Sequence, residues 1–216
     1  MKKKLSVLMC IVLVLSMLLT LTGCGGDNAK LVGTWKCEKN MAKFFNDGVA
    51  IGDPTIAEYI HLDEFNITVC MEFYDDDTYS IYADEASVKA AIEIMKVDVM
   101  DGIVAYLEAV VMDQFGFALP VEQILEMTGL TMDSLLAEIV TDELVDEIVD
   151  GVAARGKFKA EGGKLYTSAG LSYEIDPAVY ETYTLKGDTL TLLEYVGNEE
   201  DAPDAAVYPM VFVKVK

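Results

Sequence analysis

Few residues in this sequence have the types and spacing that enzyme chemistry requires. His61 is the only histidine, so a Ser-His-Asp triad could be built only around this residue. The motifs HExxH and CxxC and a phosphate-binding glycine-rich loop do not occur, which removes the usual signals for zinc, redox and nucleotide chemistry. Acidic residues are so numerous that a carboxylate pair for glycoside hydrolysis stays open. We therefore expect a protein that is not an enzyme and that has no cofactor.

Two acidic runs are candidate cation ligands, because hard cations bind carboxylate oxygens. They are Asp75-Asp76-Asp77 and Glu199-Glu200-Asp201. Neither run has the alternating ligands and the glycine of an EF-hand loop. Turns and solvated loops are rich in such residues. We expect these runs to be turns and loops and predict no metal site.

The N-terminus has the pattern of an export signal. Lysines at positions 2–4 precede a mostly apolar run from Leu5 to Leu21. The run is slightly shorter than the roughly 20 residues that a membrane-spanning helix prefers. It ends in the tetrapeptide Leu-Thr-Gly-Cys, whose last residue is Cys24.

This tetrapeptide resembles the lipobox of bacterial lipoproteins, in which a small residue precedes a cysteine that becomes lipidated. The resemblance implies that residues 1–23 are a removed signal peptide and that Cys24 carries a diacylglyceryl group with its fatty acyl chains. Residues 24–30 would then be the lipidated cysteine and a short flexible tether. Two acyl chains hold a protein stably on a membrane without a spanning helix. The alternative is an uncleaved signal-anchor helix in which Cys24 is an ordinary thiol.

Removal of residues 1–23 would leave 193 residues, enough for one substantial domain or two small ones. The mature chain would contain 13 basic residues, the 16 of the whole sequence less three lysines, against 37 acidic ones, a net charge of −24. Nucleic acids and anionic lipid surfaces both attract positive charge. The overall charge disfavours both as partners, so the lipid on Cys24 is the predicted membrane contact.

Two further cysteines, Cys37 and Cys70, would remain in an exported protein, where such a pair can form a disulfide. In a strand, Cys37 shares a face with Trp35, whereas Cys70 alternates with the apolar residues Val69 and Met71. The two cysteines would then point to opposite faces of a sheet. This parity argues against a disulfide, but the sequence alone leaves the pairing of Cys37 and Cys70 open.

The periodicity of apolar residues divides the remaining chain into three parts. Strand-like patterns give one strand at 31–38 and a pair before residue 85, and five more strands after Arg155. Between about 85 and 152 the period is helical. Here we predict a long helix, a short helix between Pro120 and Gly129, and a third helix capped by Thr131 or Asp133.

About eight strands suffice to close an antiparallel barrel that holds packed side chains or one small ligand. The predicted fold is therefore mainly β with an α insertion. It is a small antiparallel barrel formed by residues 31–216, interrupted by an inserted three-helix segment at about 85–152. A β-sandwich with a helical insertion is the alternative.

Three motifs resemble those of known barrels. Gly33-Thr34-Trp35 resembles the Gly-x-Trp opening of lipocalins, in which the tryptophan plugs one end of the barrel. The hairpin at 71–79 and the segment from Leu185 to Leu192 resemble those of lipocalin-like (calycin-type) lipoproteins of clostridial-type bacteria. Two departures are the methionine at position 71 and the aspartate at 77, where that family has an aromatic residue and a glycine. The resemblance implies a fold and a membrane address, without a ligand.

The interior of the barrel is the predicted binding site. Strand parity turns one set of side chains inward, and the candidates for ligand contact are Trp35, Met71, Phe73, Tyr79, Ile81, Glu181 and Tyr183. A carboxylate among apolar neighbours finds a partner or shifts its pKa, so Glu181 could orient a ligand. The same side chains could instead simply fill the barrel.

We therefore expect a membrane-anchored, extracytoplasmic protein that binds a small apolar or amphipathic ligand. The alternative is a non-enzymatic envelope module whose inserted helices contact a protein partner. An exposed apolar patch on those helices would favour the second function.

Overall fold

The computed structural model describes residues 26–141, 143–198 and 207–216. The predicted signal peptide, Cys24 and the acidic run at 199–201 lie outside the described residues. The strands within them are β1 (Gly33–Asn40), β2 (Asn66–Phe73), β3 (Thr78–Ala83), β4 (Ala154–Glu161), β5 (Lys164–Thr167), β6 (Tyr180–Lys186), β7 (Thr189–Val196) and β8 (Met210–Lys214). The helices are α1 (Asp27–Leu31), α2 (Ala42–Gly52), α3 (Glu85–Phe115), α4 (Val121–Thr128), α5 (Met132–Ile139) and α6 (Leu144–Val152), with a 3₁₀ turn at Ile56–Glu58.

The eight strands form a closed antiparallel barrel. Each strand pairs with the next one in the chain, and β8 pairs with β1 to close the sheet. Alternation between buried and exposed residues along the strands gives the barrel its apolar interior, as in β4, where Gly156, Phe158 and Ala160 are buried. The predicted barrel with a helical insertion is confirmed, and the sandwich alternative is excluded.

Three tight turns lie at one end of the barrel, which we call the hairpin end. They join β2 to β3, β4 to β5, and β6 to β7. Gly162, Gly163 and Gly187 have positive φ angles there, and Asp77 adopts φ 62° in the first turn. Aspartate tolerates this left-handed conformation better than most residues, so the departure from glycine at position 77 keeps the hairpin intact.

The first described residues are part of the folded domain, and the prediction of a flexible tether up to residue 30 is wrong for residues 27–30. They belong to α1, which packs against β4 at the hairpin end. Asn28 donates to Asp77 over 2.7 Å and accepts from the backbone N–H of Ala160 over 2.5 Å. Leu31 is fully buried, and its carbonyl accepts a 2.6 Å hydrogen bond from Nε1 of Trp35. Because the partners of Asn28 lie 49 and 132 positions away in the chain, local patterning could not predict the docking of α1.

The opposite end, which we call the helical end, is covered by the inserted helices and by α2. Asp84 caps the N-terminus of α3, where its side chain accepts a hydrogen bond from the N–H of Ser87. Gly116, in the left-handed conformation, caps the C-terminus of α3. Its buried face, which includes Ile92 and Met95, belongs to the same apolar core as the barrel interior. None of the helices in the described residues is both long enough and apolar enough to span a membrane.

The insertion contains four helices, so the prediction of three is wrong. The predicted third helix is divided into α5 and α6, and Thr131 is the cap of α5, in a reciprocal capping box with Ser134. The break follows Val140, which is buried, and Leu144 donates to the carbonyl of Thr141 at the start of the next helical turn. Valine and threonine are weak helix formers, and the break lets the chain bury Val140 in the core.

Cys37 and Cys70 lie on adjacent strands and on opposite faces. Cys37 is opposite Val69 and Cys70 is opposite Lys36 in the β1–β2 register. Both thiols are free and buried, and burial raises the pKa of each. The parity argument against a disulfide is confirmed.

Candidate functional site

The side chains predicted to contact a ligand lie close together inside the barrel. Trp35 is directly opposite Met71, and Met71 is opposite Ile81 on the next strand. Phe73 is opposite Tyr79 in the same register. The remaining two, Glu181 and Tyr183, lie on β6, where they face Leu165 on β5 and Leu192 on β7 respectively.

Large side chains occupy the centre of the barrel. Trp35, Phe73, Phe158 and Phe212 are all fully buried, and the rings of Phe73 and Phe158 are 4.7 Å apart between centroids. Aromatic rings at this separation are in direct contact. Of the predicted contact residues, Ile81 and Glu181 retain partial exposure. The packed centre directs the search for a ligand site to the ends of the barrel.

Glu181 is the one carboxylate among the predicted interior residues. Its Oε1 accepts a 2.5 Å hydrogen bond from the hydroxyl of Tyr208. Burial raises the pKa of Glu181, and the bond from Tyr208 opposes this rise. Burial and the neighbouring Glu181 charge together raise the pKa of Tyr208 far above its usual value. The carboxylate is thus satisfied by a protein partner rather than left available for a ligand.

An apolar cavity of about 220 Å³, partly open to solvent, lies at the helical end between the rim of the barrel and the helices. Its walls are formed by α2, the start of β2, α3 and α6. The side chains lining it are all apolar: Met41, Phe44, Phe45, Phe65, Ile67, Met95, Leu144, Ile148 and Val152. An apolar cavity of about 150 Å³ already binds benzene or xenon and remains dry otherwise.

Two walls of this cavity differ in how they are held. Helix α2 is fixed by Asn46, whose side-chain amide donates to the carbonyl of Leu62 and accepts from its N–H, both over 2.9 Å. Asn40 accepts from the N–H groups of Ala42 and Phe65. In contrast, α6 has no fully buried residue and no side-chain cap. Helix α6 is held instead by apolar packing, because Leu144, Val145, Ile148, Val149 and Val152 pack against the core.

Phe65 and Ile67 fall within the inward-facing set that strand parity predicts. The other lining residues were missed as site residues, although the pair Phe44-Phe45 on a short helix and the apolar stripe containing Leu144 and Ile148 were available signals.

His61 lies at the surface. Its side chain is 67% exposed, and its Nε2 is 3.9 Å from Oδ1 of Asp63. With Asp98 and Asp101 it borders a polar cleft beside Gly102. Within residues 26–141, 143–198 and 207–216, no group of three or more His, Cys, Asp or Glu residues is arranged to hold a metal ion.

The acidic run at 75–77 is a turn. Oδ1 of Asp76 accepts from the N–H of Thr78 over 3.1 Å and from its hydroxyl over 2.6 Å, and these bonds lower the pKa of Asp76. Asp77 accepts from Asn28. Asp76 thus stabilises the turn itself, and Asp77 joins the turn to α1.

The inserted helices carry several exposed, large apolar side chains. Those on α3 and in the following segments are Ile94, Val97, Met112, Phe115, Phe117, Met127 and Leu130. Phe115 and Phe117 form one cluster, with their ring centroids 6.1 Å apart. Helix α3 is thus apolar on its buried face and partly apolar on its exposed face.

No protein-family model matches this chain, and nothing among the curated proteins or the solved structures matches it either. The barrel, the cavity and the charge distribution are therefore the basis for a function.

Proposed function

We propose that this protein is a lipid-anchored, extracytoplasmic binding protein for a small apolar molecule, which it holds in the cavity at the helical end. The apolar cavity of about 220 Å³ is the observation that carries this proposal. In this proposal the cavity, and not the packed centre of the barrel, is the binding site. A cavity of this size suits one aromatic ring with small substituents or a short aliphatic chain.

The anchor part of the proposal depends on the sequence. The basic start, the apolar run and the Leu-Thr-Gly-Cys tetrapeptide support lipidation of Cys24. The resemblance of Gly33-Thr34-Trp35 to the lipocalin opening supports the binding part of the proposal, because a closed barrel with a buried first-strand tryptophan is what that resemblance implies.

Native mass spectrometry of the protein, purified from the bacterium that makes it, tests the ligand. We expect a small mass that dissociates on denaturation. A Val152→Phe variant fills the cavity from α6 and should lose this mass. The matched control is Val97→Phe on the exposed face of α3, which should keep it. Retention of the small mass by Val152→Phe would place the ligand elsewhere.

A second function is favoured by the exposed apolar side chains of the helices. In it, the cluster around Phe115 and Phe117 contacts a protein partner in the envelope. A photo-crosslinking amino acid at position 115 should then give one discrete protein adduct in the living bacterium. The same amino acid at Tyr173, an equally exposed aromatic residue on a barrel loop, should give none. Equal crosslinking at both positions would contradict this function.

A further inference from the structure

Charge is distributed very unevenly between the two ends of the molecule. The helical segment at 85–152 contains 15 acidic residues and two lysines, a net charge of −13. The hairpin end is nearly neutral, with a net charge of −1. It carries seven lysines, at positions 30, 157, 159, 164, 186, 214 and 216, and eight acidic residues, at positions 27, 75, 76, 77, 161, 174, 176 and 188, where Glu174 and Asp176 flank Ile175 in the groove at this end. More than half of the basic residues after position 24 are thus gathered at one end.

The chain also enters the domain at this end, through α1. Asn28 is bonded to Asp77 and to the backbone of Ala160, and Asp27 accepts from the N–H of Gly162. Only residues 25 and 26 separate Cys24 from α1. Three extended residues span at most about 11 Å. A lipid on Cys24 would therefore hold α1, and with it the hairpin end, within about 11 Å of the anchoring point.

We propose that the hairpin end lies against the phospholipid headgroups of the anchoring membrane and that the helical end, with its cavity, points away from the surface. This inference rests on the lipid anchor of the proposed function. Strands of eight residues, tilted as in a barrel, separate the two ends by about 20 Å. That distance exceeds the Debye length of about 8 Å at physiological ionic strength, so an anionic surface scarcely repels the acidic helices in this orientation. In the reverse orientation the surface would face the full charge of −13.

The mixed charges of the hairpin end are compatible with phospholipid headgroups, but this surface is not a strong membrane-binding site by itself. Three of its lysines form ion pairs within the same end: Lys30 with Asp27, Lys159 with Glu161, and Lys216 with Asp188. An open groove of about 990 Å³ runs between α1, the 74–77 turn and β4, and both lysines and aspartates line it. Zwitterionic headgroups present both charges to such a surface, and the phosphates of anionic headgroups can meet its lysines. The lipid supplies the affinity, and the charge distribution sets the orientation.

Lysine footprinting of the lipidated full-chain product tests the orientation. The protein is purified from its membrane, its N-terminal peptide is weighed, and it is reconstituted in vesicles of phosphatidylcholine and phosphatidylglycerol. A membrane-impermeant amine reagent is then applied to vesicles and to detergent micelles. We expect labelling at Lys159, Lys186 and Lys216 to be several-fold lower in vesicles. Labelling at Lys89 and Lys96 on α3 should be unchanged, because they project from the helical end.

A charge-reversal variant separates electrostatic orientation from the constraint of the short link. Lys159→Glu, Lys186→Glu and Lys216→Glu together change the net charge of the hairpin end from −1 to −7, and all three side chains are exposed. On vesicles with phosphatidylglycerol, Lys157 and Lys164 should become several-fold more reactive than in the unmodified protein. The matched control, Lys89→Glu with Lys96→Glu, should leave their reactivity unchanged.

The outcomes distinguish the two proposals. An N-terminal peptide without lipid overturns the anchor, and the orientation falls with it. If the protein is lipidated but its hairpin-end lysines label in vesicles as strongly as Lys89 and Lys96, the orientation alone is overturned. Protection of Lys89 and Lys96 instead of the hairpin-end lysines overturns it as well. Protection of the hairpin-end lysines that is lost in the charge-reversal variant supports it.

Discussion

Substitution of Val152 by isoleucine should stabilise the protein, because the added methylene enters empty apolar space. Val152 ends α6 and lines the cavity of about 220 Å³, which has room for one more carbon. A buried methylene contributes about 0.8 kcal/mol. Valine and isoleucine are both β-branched and have similar helix propensities, so the backbone contribution is nearly unchanged. For a domain of this size, the gain corresponds to a rise in Tm of about 2–3 °C.

Urea unfolding followed by the fluorescence of Trp35, the single tryptophan, measures this change. Val97→Ile is the matched control, because Val97 is 55% exposed on α3 and the same methylene there stays in water. We expect a higher midpoint for Val152→Ile with an unchanged slope, and a shift of less than about 0.5 kcal/mol for the control. A Val152→Ile variant that is no more stable than Val97→Ile would refute the existence of usable space at this position.

Five further substitutions test the hairpin turn, the packing of α3 and the interior carboxylate. Asp77→Ala should lower the free energy of unfolding by about 1 kcal/mol, because it removes the side-chain hydrogen bond from α1. Asp77→Gly should be about 1 kcal/mol more stable than Asp77→Ala at φ 62°, and equal stability of the two variants would contradict the strain argument. Gly102→Ala should destabilise by about 1–3 kcal/mol in thermal unfolding, since its Cβ would lie 2.7 Å from the carbonyl oxygen of Tyr59. Gly48→Ala, with no atom within 4 Å of its Cβ, should instead gain about 0.5–1 kcal/mol of helix propensity. Burial raises the pKa of Glu181, so the folded protein holds this proton to a higher pH than the unfolded chain does. Stability from this group is thus present at low pH and is lost as pH rises from about 4.3 through the raised pKa. Glu181→Gln should therefore gain in stability relative to the unmodified protein over this range, and parallel stability curves against pH would contradict this.

Local patterns predicted the barrel because its contacts are between neighbours in the chain. Each strand pairs with the next one, so alternation and turn residues such as Gly162-Gly163 and Gly187-Asp188 suffice to place them. The helix between Pro120 and Gly129 was predictable for the same reason, since its start and end signals are local.

Features that depend on long-range contacts were not predictable. The docking of α1 depends on Asn28, which bonds to residues 49 and 132 positions away. The cavity depends on four elements that meet only in the folded chain, so parity along β2 could identify Phe65 and Ile67 and nothing on α2 or α6. Parity also could not tell a filled barrel from a hollow one, because that depends on the summed volumes of the inward side chains.

The measurement that tests the central claim most directly is a titration of the ¹³C-methyl-methionine-labelled protein with toluene, followed by NMR. Met41 and Met95 line the cavity, whereas Met127 is 76% exposed on α4. We predict saturable shifts of the Met41 and Met95 methyl signals, no shift for Met127, and loss of the shifts in Val152→Phe. Unmoved Met41 and Met95 signals at saturating toluene would contradict the account, because a cavity that cannot admit one aromatic ring cannot be the binding site.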